Sequence, residues 1–287
     1  MKRIFAASAL YLLFRAGTAP AGDAPAVLFP SPFSVTHQLV RTDADGSEFR
    51  AAPVTDNYGG SYLVSVRPGG SRVIVDFARR ETTEVNVEKS TYWSLSFSKM
   101  SDLARRLAKA GGGPPRPSVR SPLAAPAIRV ETGEASGRGR LPTSASPQGA
   151  GSAPLRRYRA WVEGGPEAEI WVDGSVTLGA AALDALENFE REALGAETAV
   201  SADGTTPSAL VAAARRAAGG ALPLRVRRTD AAGGSSEDVV SAVVLLPTLP
   251  PPLLAVGEGF RRVPSPLEAM VAFAEEEAAL SAPRTPK

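Results

Sequence analysis

SYLVSVRPGGSRVIVDFARRETTEVNVEKSTYWSLSF, residues 61–97, decides how the chain is read. Tyr62, Val64 and Val66 alternate with Ser61, Ser65 and Arg67. Val73, Val75 and Phe77 alternate with Arg72 and Asp76, with Ile74 breaking the polar side, and Val85 and Val87 alternate with Glu84, Asn86 and Glu88. Successive side chains of a strand point to opposite sides, so a period of two gathers the oily residues on one face. Pro68-Gly69-Gly70 interrupts the pattern with turn chemistry, and tight turns join antiparallel neighbours. The stretch therefore reads as a meander with one apolar face. Upstream, Phe33, Val35 and Leu39 alternate with Ser34, Thr36 and Gln38, and Asp45-Gly46 and Gly59-Gly60 mark further turns.

Downstream the period changes. Met100, Leu103 and Leu107 in residues 98–109 are spaced for a helix, with Ser98 as its cap and Gly111-Gly112-Gly113 as its stop. Residues 110–154 are dominated by Gly, Pro, Ser and Ala and read as an expanded loop, with a short strand from Ala127 to Thr132. A hairpin follows over residues 155–163 and 167–173, then helices over 179–194 and 206–218, strands over 222–230 and 237–247, and a helix from Pro266 to Leu280.

Composition removes several chemistries. With no cysteine among 287 residues there is no disulfide, thiolate zinc site, Cys nucleophile or lipid-modified N-terminal Cys. His37 is the single histidine, which leaves Ser–His–Asp chemistry and multi-His metal sites almost nothing to build with; in register with Val35 and Leu39, it reads as a hydrogen-bonded core or rim residue. Asp43 and Asp45 begin a DxDG stretch with Val54 where a calcium loop needs Glu, so it reads as a turn. No cofactor or metal is implied. Asp173 and Asp184 form no evident pair, and Trp161 and Trp171 read as core or groove-lining aromatics.

Lys2, Arg3 and an uncharged run from Ile4 to Phe14 precede Ala19-Pro20-Ala21, the pattern of a signal peptide over 1–21. The +3 of that segment exceeds the +2 of the whole chain, leaving the remainder at −1. A near-neutral body has no footprint for nucleic acid. No later run is long enough for a membrane helix. The chain thus reads as exported, periplasmic or extracytoplasmic, soluble and without a lipid anchor.

Four segments carry a resemblance: SRVIVDFARRETTEVNVEKSTYWSLSF (71–97), RRYRAWVEGGPEAEIWVD (156–173), LPLRVRRTD (222–230) and LLAVGEGFRRVPSP (253–266). Together they resemble the DUF4412 family of the LolA-like, lipoprotein carrier-like superfamily. In the last segment Leu254, Gly257 and Phe260 stand where the family has Phe, Pro and Tyr. The resemblance implies an α+β fold: a strongly curved antiparallel sheet, an incomplete β-barrel, with helices packed on or plugging the concave face. It implies a first half of that domain over 22–109, an insertion over 110–154, a second half over 155–266 and a C-terminal helix and tail over 267–287.

The family has no catalytic residues to carry over, and the expected function is non-enzymatic. The resemblance implies that an apolar ligand, a lipid or lipoprotein acyl chain, sits on the concave face. Its candidate lining is Val35, Leu39, Tyr62, Val64, Val66, Val73, Val75, Phe77 and Trp171. The alternative is an envelope protein–protein interaction or sensor module with no lipid cargo, using sheet edges or the 110–154 loop. Whether the helices fill the concave face is left open by the sequence.

Overall fold

Strand reversal occurs where glycines accept backbone angles that other residues resist. Gly69 and Gly70 have φ of 83° and 80°, and Arg67 N–H donates to Ser71 O at 2.9 Å, closing the turn between β4 (Tyr62–Val66) and β5 (Arg72–Asp76). These strands belong to a computed structural model that describes residues 27–110, 128–134, 155–163, 165–193, 207–229 and 234–281. The expected signal peptide lies outside the described residues, as does most of 110–154.

Before β4 come β1 (Phe29–Thr42), β2 (Glu48–Arg50) and β3 (Val54–Gly60); after β5 come β6 (Glu81–Asn86), β7 (Thr91–Ser96) and α1 (Phe97–Ala110). The second half comprises β8 (Arg129–Glu134), β9 (Arg156–Trp161), β10 (Glu167–Thr177), α2 (Ala180–Ala193), α3 (Pro207–Ala217), β11 (Ala221–Thr229) and β12 (Ser235–Leu245). The chain then forms α4 (Pro251–Leu254), β13 (Arg261–Arg262) and α5 (Pro266–Ser281).

The strands build one sheet in the order β13-β7-β6-β5-β4-β3-β1-β12-β11-β10-β9-β8, with β2 beside β1. Every pairing is antiparallel except β13 with β7. The sheet is curved and open: its end strands, β13 and β8, do not pair with each other. The long β1 joins the halves, pairing with β3 on one side and β12 on the other. The fold is thus α+β, an antiparallel-rich open sheet with helices.

All three longer internal helices lie on one face, here the inner face. Phe97, Met100 and Leu103 of α1 and Ala182, Leu186 and Phe189 of α2 share a core with Phe33, Val35, Val73, Val75, Leu224 and Val243. Phe97 and Phe189 meet at 4.9 Å between ring centres. Leu210, Val211 and Ala214 of α3 pack on Tyr158, Ala160, Ile170 and Val226. Each fully buried aliphatic side chain contributes about 1.5–3 kcal/mol.

The outer face of the meander is covered as well. Leu249, Leu253, Leu254 and Phe260 pack over Val64, Ile74 and Val85, and Arg72 Nε donates to Leu253 O at 3.0 Å. A Cβ at Gly257 would stand 2.4 Å from the Phe260 ring, so this strap needs glycine there. Capping of α1 falls to Ser96 Oγ, which accepts from Lys99 N–H at 3.3 Å, in place of Ser98. α5 begins with a capping box: Ser265 Oγ accepts from Glu268 N–H at 3.1 Å, and Ser265 N–H donates to Glu268 Oε2 at 2.8 Å. Arg106 of α1 grips Glu275 of α5 with two hydrogen bonds of 2.9 and 2.8 Å.

Candidate functional site

A β-bulge sets a histidine between two carboxylates. Thr36 of β1 faces Ala242, but His37 faces Val240, so Ser241 is the extra residue of β12, and its Oγ donates to Thr36 O at 3.1 Å. Val243 and Val240, three positions apart, can then both face inward, and Asp238 follows two residues on. On the other side of β1, Asp56 of β3 lies opposite Val35. His37 therefore has a carboxylate diagonal to it on each neighbouring strand, within reach of a side chain.

The imidazole uses both. Its Nδ1 lies 2.8 Å from Asp238 Oδ1 and its Nε2 3.2 Å from Asp56 Oδ2, the second an ion-pair contact that runs off the line of the N–H. The His37 side chain is 16% exposed. Burial is the largest single influence on it and disfavours its charge. The bonds and charges of Asp238 and Asp56 together outweigh burial and push its pKa up to about 10.

Tyr58, buried against Phe33 in a stack of 4.6 Å, is raised well above the ordinary phenol value. Burial is the main cause, followed by the charge of Asp56, with Arg215 of α3 acting in the opposite direction. Arg228 is buried on the same face, two residues beyond Val226, which stands opposite Asp238. The cluster thus sits where the two inner cores meet. An imidazole held as a cation has no lone pair to serve as a general base near neutral pH. Its chemistry is that of a clamp joining β1, β3 and β12. Among the described residues no group of three or more His, Cys, Asp or Glu is arranged to hold a metal ion.

The residues expected to line one apolar face are divided among several environments. Val35, Val73 and Val75 are 4%, 5% and 1% exposed in the inner core, with Phe77 packed against it 6.0 Å from Phe189. Leu39 is half-buried, opposite Asp238. Tyr62, Val64 and Val66 point the other way, under the 249–260 strap. The reason is register: Leu63 pairs with Val75 and Val64 with Ile74, so Leu63 and Ile74, which the alternation passes over, set the parity. Trp171 is on the outer face of β10, with the Arg225 guanidinium 4.8 Å above its ring.

That outer face carries a charge ladder that sequence reasoning did not assemble. Glu131 of β8 pairs with Arg159, Arg159 with Glu169, Glu169 with Arg227 and Arg227 with Glu237, so charge alternates strand by strand. Ion pairs stitch it diagonally: Arg157 to Glu169 at 3.3 Å, Arg159 to Glu167 and Arg225 to Glu237. Arg159 also stacks 5.1 Å from the Trp161 ring. The signal in the sequence is the Arg/Glu alternation within 156–169 and 225–237, legible only once the registers are known.

No family model matches the chain, and no curated protein matches it. Among solved structures, two crystal forms of PNGF-II are similar, at 11% and 10% identity, each with a TM-score of 0.34. The similarity covers 85% of this chain and 33% and 34% of those chains, so this chain spans about one third of their length. Likeness at that level carries no information about chemistry. Among the described residues no helix is long and apolar enough to cross a membrane.

Proposed function

We propose that this is an exported, non-catalytic interaction module that holds a protein partner by strand addition at β8. The observation that carries the reading is the contrast between the two ends of the sheet. One end is blunted by the two-residue β13; the other is the six-residue β8, whose far side faces no strand among the described residues. A strand edge offers a row of unpaired N–H and C=O groups to an incoming chain. Val130, 40% exposed on the inner side of that edge, offers an apolar contact beside it.

The acyl-chain reading needs room on the concave face. Val35, Val73 and Val75 are covered on the inner face by α1 and α2, so a lipid tail reaches them only if these helices move. A charge pointing inward from an edge strand opposes strand addition. Val130→Lys is therefore expected to lose partner capture from native envelope extract at least tenfold while keeping the unfolding midpoint. Lipid recovered with the wild-type chain, and equal protein capture by Val130→Lys, would overturn the reading in favour of a carrier.

A further inference from the structure

We infer that the partner at β8 is a second copy of this chain, paired antiparallel across a two-fold axis at Val130. The inference rests on the proposed role of the β8 edge. It is carried by charge and register. On the outer face β8 shows Arg129 and Glu131, both exposed, and on the inner face Ile128, Val130 and Thr132, because Val130 pairs with the buried Ala160 of β9. The ladder crossing the outer face ends on β8 at Glu131, after Arg159 and Glu169. The next strand should continue the alternation with a cation.

A two-fold normal to the sheet keeps the faces of the copies aligned, so outer residues must meet outer residues. Only a few registers then remain. Centring on Arg129 or on Glu131 sets like charges face to face, which is unfavourable in a cross-strand pair. Centring on Thr132 sets Glu131 against Gly133 and gains no ion pair. Centring on Val130 sets Arg129 of each copy against Glu131 of the other, twice, and continues the ladder. Val130 then meets its own symmetry mate, and Ile128 meets Thr132. A one-residue slip would merge the charged face of one copy with the helix-bearing face of the other.

The helices permit this. α3 packs over β9, β10 and β11, so it is centred on β10, about 12 Å from the axis at a strand spacing of about 4.8 Å. The two α3 helices would stand about 24 Å apart, clear of the 8–10 Å of packed helices. The pairing is isologous and therefore closes at two copies.

The chain has no cysteine, so single-cysteine variants of the full-length protein give a clean test. Val130→Cys should form a disulfide dimer on treatment with diamide, because directly opposed Cα atoms lie about 4.5–5.5 Å apart, within disulfide reach. Thr132→Cys should not, since its mate would be about 13 Å away. Light scattering should give a mass rising from one chain toward two with concentration. Arg129→Glu should raise the dissociation constant about tenfold or more; because Arg129 also lies 3.0 Å from Glu163 of its own chain, the unfolding midpoint is measured alongside. Equal crosslinking at both positions, a monomer at all concentrations, or an unchanged dissociation constant for Arg129→Glu overturns the inference. A monomer whose Val130→Lys variant still loses an envelope partner overturns only the second copy, not the edge.

Discussion

Replacing His37 with Gln should change how stability depends on pH, not only its level. The folded-state pKa of His37 is raised from 6.5 to about 10. A raised pKa on a cationic group means that its stabilisation is complete below pH 6.5 and is lost as the pH rises through about 10. Between those limits the folded state binds one proton that the unfolded state has released. The wild-type chain therefore loses about 1.4 kcal/mol per pH unit from this group. Between pH 7 and 9 the loss is about 2–3 kcal/mol. Ionisation of Tyr58 does not intrude, because its pKa is raised further in the fold and even unfolded tyrosine titrates only near pH 10.

At pH 6.5, removing the cation leaves Asp56 and Asp238 buried without it, a change that costs about 3–5 kcal/mol. The assay is urea unfolding followed by tryptophan fluorescence at half-unit pH steps. The gap between wild type and His37→Gln should narrow by about 2–3 kcal/mol from pH 7 to 9. Asp238→Asn, which leaves the imidazole one carboxylate, should show the same slope over a shorter pH range. A gap that stays constant with pH would refute the argument that His37 is held as a cation.

Other sites give sharper local outcomes. Ser265→Ala removes the cap of α5 and should cost about 1 kcal/mol in denaturant unfolding, with faster hydrogen exchange confined to the start of that helix. Leu210→Ala empties a fully buried position between α3 and the sheet and should cost about 2–5 kcal/mol, read from the urea midpoint. Gly220→Ala should be more disruptive than its size suggests: φ is 82° and the new Cβ would stand 2.5 Å from Leu178 O, so a clear drop in melting temperature is expected.

Much of the secondary structure was legible because it repeats locally. α1, with Phe97, Met100 and Leu103 on one side, carries its own period, and so do α2 and the β9–β10 hairpin. The strand β3 was not legible. Its VTDNYGG holds Asp56 and Asn57 in buried positions, and hydropathy cannot reveal that Asp56 is satisfied by His37, a residue on another strand. The parity of β4 failed for a related reason. Both faces of β4 are covered, one by the inner core and one by the 249–260 strap, so YLVSV is nearly continuous in hydropathy and alternation has no polar side to fix it.

The candidate sites depended wholly on long-range pairing. Asp238 reaches His37 across 201 residues of chain, and the charge ladder needs four registers at once. Asp238 also faces inward only because Ser241 bulges, and nothing in EDVVSAVVLL marks the bulge. Trp171, which reads in the sequence as a core or groove-lining aromatic, lies instead on the outer face beneath Arg225.

Hydrogen–deuterium exchange of the full-length chain, compared between the dilute chain, the chain concentrated enough to pair, and the chain recovered with whatever it binds in native envelope extract, tests the central claim most directly. Strand addition at the open edge predicts new protection in residues 129–134 and unchanged exchange in 97–110 and 180–193. Protection that changes in those two helices while β8 stays as it was would place the ligand inside the sheet and contradict the account.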